Sequence, residues 1–259
     1  MKVSSLNVGL PREIFHESRR VRTGIFKQPV PARVRVTALN LEGDEQADLT
    51  VHGGPSKAVY AYPSVHYEFW RKELPEMTLS WGMFGENLNT EGLLEKDLHI
   101  GDRLCIGSAE LMVTEPRLPC YKLNVKFGRD EIVKRFLKSR RTGFYCAVLH
   151  EGEIGAGDEI EFLGRDENKI TVADITRIYT FDKGDADTLQ RAVEVKALPK
   201  IGVTISVTGL QRRPAKRCDT IRGEKLGEML QDIFAECSKR FRQGARVEPF
   251  ERFDALNCL

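Results

Sequence analysis

Residues 98–116, LHIGDRLCIGSAELMVTEP, read as two short strands folded back on each other at Gly107. A Gly-Asp pair at 101–102 launches the first strand, and the same device recurs where AGDEIEFL (156–163) starts another. Upstream, ARVRVTALNLEG (32–43) alternates polar and apolar residues and ends at Gly43-Asp44. Downstream, GFYCAVLHEGEIGAGDEIEFL (143–163) reads strand, turn, strand. Many short strands with Gly and Pro punctuation predict a mainly β fold, a barrel or sandwich. Two helices are expected among them, PSVHYEFWRKEL (63–74) and GRDEIVKRFLKS (128–139), on their apolar spacing.

The pattern changes after Gly164. TVADITRIYTF (171–181) begins with a Thr cap, and DADTLQRAVEVKAL (185–198) closes at Pro199. In GEKLGEMLQDIFAECSKRFRQG (223–244), Leu226, Leu230, Ile233, Phe234, Cys237 and Phe241 form one stripe. The expected organisation is a β domain over 1–164 and a C-terminal helical module with a tail over 165–259. That module serves to cover the β domain; docking of a redox partner or of a second copy in a homodimer is the alternative.

The 259 residues carry 40 cationic and 38 anionic side chains, so bulk charge gives no case for nucleic acid. The basic runs KSRR (138–141) and QRRPAKR (211–217) read as solvated faces. The first 18 residues lack an apolar core of signal-peptide length, and no apolar run reaches the roughly 18 residues of a membrane span. The expectation is a cytoplasmic protein with no membrane contact. Six cysteines at 105, 120, 146, 218, 237 and 258 form no CxxC pair, which argues against a zinc ribbon, an iron–sulfur site or a disulfide framework.

One cysteine stands out. In TEPRLPCYKLN (114–124), Cys120 follows two prolines, Pro116 and Pro119, and lies near Arg117 and Lys122. The prolines predict a stiff loop, not a helix or central strand, and nearby cations favour thiolate. A half-buried structural cysteine is the bland alternative. Three other stretches are rich in glycine and polar residues: LEGDEQADLTVHGG (41–54), with His52 before Gly53-Gly54; WGMFGENLNTEG (81–92), with Gly85, Glu86 and Asn87; and RTGIFKQPV (22–30), with Lys27. No GxGxxG, P-loop or GxSxG pattern accompanies them.

Taken in order, TGIFKQPV, LEGDEQADLTVHGGPSKAVYAYPSVHYEFW, FGENL, GLLEKDLHIGD, EPRLPCYKL and TGFYCAVL resemble the MOSC domain family, and within it the bacterial YiiM-like members. The match covers roughly residues 20–164, and the helices that follow resemble the small helical module of those members. The resemblance implies a MOSC-type β-barrel with a few peripheral helices that binds molybdenum cofactor, a molybdopterin. It implies Cys120 as the molybdenum ligand, a soft thiolate suited to a metal already held by dithiolene sulfur. Arg117, Lys122 and Lys27 become partners for the cofactor's phosphate. Backbone donors at Gly53, Gly54 and Gly85, together with Asn87, become contacts for the pterin or the substrate, and His52 or Glu86 the proton source. The implied activity is reduction of N-hydroxylated compounds, such as N-hydroxylated purine analogues, with electrons from a separate flavoprotein or ferredoxin-type donor. A non-catalytic cofactor carrier, or a sulfur-transfer protein using a Cys120 persulfide, is the alternative.

Overall fold

The computed structural model describes residues 1–47, 52–182 and 184–199. Twelve strands and five helices are present among them: β1 Lys2–Val8, β2 Arg12–His16, β3 Arg19–Thr23, β4 Gln28–Pro29, β5 Val34–Val36, β6 Val59–Pro63, α1 Val65–Glu73, β7 Leu88–Glu91, β8 Arg103–Ile106, β9 Ala109–Pro116, α2 Tyr121–Phe127, α3 Ile132–Ser139, β10 Phe144–His150, β11 Gly152–Ile154, β12 Ile160–Gly164, α4 Val172–Thr180 and α5 Ala186–Glu194. Eight strands make one sheet in the order β12-β8-β9-β10-β6-β7-β1-β4, with two hairpin-sized sheets, β11-β5 and β2-β3, beside it. Every neighbouring pair of the large sheet is antiparallel except β6 and β7.

The expected barrel is not closed, because the end strands β12 and β4 share no ladder. The outer edge of β1 is divided between two partners, which prevents a continuous seam. Asn7 and Val8 pair with β4, while Lys2 forms only an isolated bridge with Glu159. Backbone bonds from Val3 N–H to Asp158 and from Gly157 N–H to Val3 support that bridge. The expected Gly-Asp turns are present. Asp102 accepts a bond from the His99 N–H and Asp158 one from the Gly155 N–H, each at 2.9 Å, so the carboxylates cap the turns that start β8 and β12.

β6 is buried along its whole length and divides two cores. Alternation sends Val59 and Ala61 to one face and Tyr60 and Tyr62 to the other. On the first face Leu6, Leu88, Leu104, Leu111, Val113 and Phe144 pack with Ile175, Ile178, Leu189 and Ala192 of α4 and α5. The helices after Gly164 therefore share the core of the sheet. On the second face α1, α2 and α3 bring Trp70, Leu123, Phe127 and Phe136 onto Tyr60, Tyr62 and Phe84. Trp70 Nε1–H donates to Tyr62 Oη at 2.8 Å, satisfying both polar tips inside an aromatic core. Full burial of Phe84 and Phe136 contributes about 1.5–3 kcal/mol each.

α1 and α3 lie where the apolar spacing predicts them, and Thr171 caps α4 through a capping box with Asp174. The stretch read as a stiff loop is different: β9 runs to Pro116, and α2 begins immediately after Cys120. Pro116 is tolerated at a strand end, and Pro119 precedes the helix, so neither removes a needed hydrogen bond. The expected helix over 223–244 and the basic run 211–217 lie outside the described residues. Among the described residues, no helix is long and apolar enough to cross a membrane.

Candidate functional site

Cys120 is the N-cap residue of α2, held in extended conformation where β9 ends. Its Sγ lies 3.5 Å from His52 Nε2, across a gap of 68 residues in sequence. His52 enters a short 3-10 turn, Pro55–Lys57, that leads into β6, and Thr114 Oγ1 of β9 donates to Ser56 O of that turn at 2.6 Å. The sheet thus fixes both partners. Burial would raise the Cys120 thiol. The hydrogen bond and charge of His52, the charge of Arg117 and the Lys122 backbone N–H outweigh it and bring the pKa down to about 7. Cys146 in β10, the other deeply buried thiol among the described residues, is pushed the opposite way by burial with no opposing group.

Arg117 is 5% exposed, and its Nη1 has no hydrogen-bond partner. The guanidinium lies over the Phe136 and Tyr60 rings, at 5.1 and 5.5 Å from their centroids. No carboxylate pairs with it among the described residues. A desolvated cation with a free N–H is a site prepared for an anion. Lys122 supports the sulfur through its backbone N–H.

The remaining sequence candidates divide into two places. Gly53 and Gly54, adjoining His52, have φ of 95° and 85°, a region open to glycine and strained for other residues. A side chain at Gly53 would strike Gln46, whereas one at Gly54 would meet nothing within 4 Å, so Gly54 borders open space beside the thiol's partner. Lys27, Gly85, Glu86 and Asn87 instead form a buried polar scaffold. Lys27 is paired with Asp44, which also accepts from Asn87 Nδ2 at 2.9 Å and the Gly9 N–H at 3.0 Å. Burial lowers the Lys27 pKa, and Asp44 opposes that. Glu86 is fully buried and accepts from Tyr67 Oη–H, the Gly82 and Phe84 N–H groups and Asn89 Nδ2. Gly85 (φ 81°) lets this turn close against Ile25, which any side chain there would strike.

Three residues were not singled out by sequence reasoning. Tyr145 of β10 feels Arg117, Glu115 and Cys120 together, and burial pushes its hydroxyl up to about 12. Glu115 of β9 faces Tyr145 across the ladder; burial raises its carboxyl, opposed by Lys57, whose Nζ is 3.8 Å away, and by Ser56. Lys126 of α2 donates to the carbonyls of Ile25 and Gly82, tying the helix that carries Cys120 to the polar scaffold. Burial brings its pKa down to about 7 against the pull of Glu86. All three stand within or beside the quoted motifs, but only the fold brings Glu115 to Tyr145 and Lys126 to the scaffold. Cavity volume does not mark that place: a cavity of about 460 Å³ is lined by Val65, Arg71, Trp81 and Thr90 and by neither Cys120 nor His52. The chemistry of the side chains marks the candidate site instead. Among the described residues, no three His, Cys, Asp or Glu side chains are grouped to hold a metal ion unaided.

Residues 48–161 match the MOSC domain family model. The chain is 41% identical over 196 residues to the uncharacterized protein YflK of Bacillus subtilis (strain 168), covering 76% of this chain and 88% of that protein. It is 32% identical to a protein named "Reductase" from Gibberella moniliformis (strain M3125 / FGSC 7600), over 78% of this chain but only 36% of that longer protein. The crystal structure of YiiM from Geobacillus stearothermophilus superposes with a TM-score of 0.66 at 30% identity, covering 82% of this chain and 98% of that one.

Proposed function

The chain belongs to the MOSC domain family, and from that membership we propose a molybdenum-cofactor-dependent reductase of N-hydroxylated compounds, such as N-hydroxylated purine analogues. The observation that carries the reading is the thiolate-prone Cys120 beside the buried guanidinium of Arg117, whose Nη1 has no hydrogen-bond partner. The donor set fits the cofactor. One soft thiolate would suit a metal whose other ligands arrive with it, and a dry cation would suit the cofactor's phosphate. Bound there, the cofactor supplies a metal centre able to exchange two electrons with an N–O group.

This chain's residues hold and orient. Cys120 offers Sγ as the single protein ligand, and Arg117 offers Nη1 to the phosphate. His52 Nε2, beside the sulfur, is placed to hand a proton to the departing oxygen. Glu115, whose carboxyl burial raises, is placed as a second proton source. In this reading Glu86, Asn87 and Lys27 shape the loops around the site, since their polar atoms are already engaged. The overall reaction is R–NHOH + 2 e⁻ + 2 H⁺ → R–NH₂ + H₂O, with electrons from a separate flavoprotein or ferredoxin-type donor in the cytoplasm.

A Cys120 persulfide for sulfur transfer would also use a low-pKa thiol. The unpaired Arg117 and the reductase-named relative favour the first reading. The test is turnover of a hydroxylaminopurine by cofactor-loaded protein with reduced methyl viologen as donor. Amine formation supports the reductase; bound cofactor without turnover by any donor supports a carrier.

A further inference from the structure

Beside Cys120 the surface is aromatic. Tyr121 is the first residue of α2, and 41% of it is exposed. Burial, and after it the charge of Cys120, raise its hydroxyl, so the ring lies within electrostatic reach of the sulfur. A half-wet ring next to a reactive sulfur is open to a ligand. His16 of β2 stacks on it, with centroids 6.0 Å apart and planes 23° from parallel.

The hairpin adds a cation at the same place. In the β2-β3 ladder His16 pairs directly with Arg19, so both side chains share the face that meets Tyr121. Arg19 is exposed, and no carboxylate pairs with it among the described residues. The turn between them is strained: Glu17 and Ser18 take φ of 47° and 62°, where a two-residue hairpin turn ordinarily has glycine or asparagine. That turn holds His16 and Arg19 side by side at the tip. The two strands form a sheet of their own, which is weak alone, so the hairpin's position depends on its inner face. Arg12 lies 3.8 Å over the Phe26 ring at one end of that face, and His16 lies on Tyr121 at the other. Sulfur, two stacked rings and a guanidinium thus succeed one another as neighbours.

We propose that Tyr121, backed by His16, is the stacking platform for a planar substrate and that Arg19 takes a phosphate beyond it, which makes the preferred substrate an N-hydroxylated purine nucleotide, not the free base. The inference rests on the reductase reading above. With its N–OH group at the sulfur, a purine carries its sugar on the opposite edge, and a 5′-phosphate there extends toward the hairpin tip. An aromatic face accepts any base ring, and the guanidinium adds the choice of an anionic tail.

The experiment uses the full, cofactor-loaded chain with reduced methyl viologen and three substrates: hydroxylaminopurine, its ribonucleoside 5′-monophosphate, and N-ethylhydroxylamine, which has no ring. The expected kcat/KM for the nucleotide is about fivefold above that for the base, an advantage that shrinks as salt rises. R19E removes the advantage and leaves the base unchanged. Tyr121→Ala raises KM for both purine forms about tenfold and leaves N-ethylhydroxylamine unchanged, while Tyr121→Phe stays near wild type. Equal kcat/KM for nucleotide and base in wild type would overturn the proposal. So would an advantage that survives in R19E, or a loss in Tyr121→Ala that N-ethylhydroxylamine shares. If no substrate is turned over, the reductase reading fails on its own. Equilibrium binding of adenosine 5′-monophosphate against adenine then decides the site: tighter nucleotide binding, weakened by salt, by R19E and by Tyr121→Ala, supports it. Equal affinity for the two ligands, or equal nucleotide affinity in wild type and both variants, overturns it.

Discussion

Cys120 Sγ and His52 Nε2 stand 3.5 Å apart, one at the head of α2 and the other before the turn into β6. The contact stabilises thiolate against burial that would otherwise favour the thiol.

Because thiolate is the reactive form, alkylation of cofactor-free protein should rise with pH through a midpoint of about 7. In His52→Ala the midpoint should move upward, toward the ordinary thiol range near 8.5. Iodoacetamide rates between pH 5 and 10 measure both. An unmoved midpoint would remove His52 as the cause.

Arg117→Met should separate binding from folding. Removing a buried cation that pairs with no carboxylate costs little or even stabilises, so Tm should hold or rise. Cofactor retained after gel filtration should fall at least about tenfold, since a charge-assisted phosphate contact is lost. A large fall in Tm with full retention would make Arg117 structural.

Lys27 and Asp44 are expected to behave as a buried pair. Lys27→Met strands the Asp44 carboxylate and should cost about 3–5 kcal/mol in urea unfolding. Lys27→Met combined with Asp44→Asn should recover much of that loss. If Lys27→Met instead keeps its stability and loses cofactor, the phosphate role implied by the family resemblance is the correct one.

Glu115 gives a pH signature. Burial raises its carboxyl, so a proton it supplies is available at low pH and lost as pH rises through the raised value. Turnover should therefore decline on the alkaline side. In Glu115→Gln, turnover should fall roughly tenfold to a hundredfold and that decline should disappear.

The strands β5 and β8 to β12, α1, α3 and the cap of α4 were legible because each rests on local pattern: alternation, Gly-Asp turns, apolar spacing, a Thr-x-x-Asp box. Cys120 was legible through its motif, and Arg117 through its closeness to it. Three things required the fold. The open sheet depends on how β1 divides its outer edge, which no local pattern encodes. The helix after Cys120 was hidden because Pro116 and Pro119 look like breakers until one ends a strand and the other precedes a helix. The division between Cys120–His52–Arg117 and Lys27–Glu86–Asn87 depends on Asp44 and Tyr67, which only tertiary packing supplies as partners.

The most direct measurement is molybdenum per chain in wild type and Cys120→Ala, both produced in a cofactor-making host and compared at equal folded concentration. The expected result is a ratio near one in wild type, falling below about a tenth in the variant, with hydroxylaminopurine reduction lost in step. Full molybdenum content and activity in Cys120→Ala would contradict the assignment of this thiolate as the metal's protein ligand.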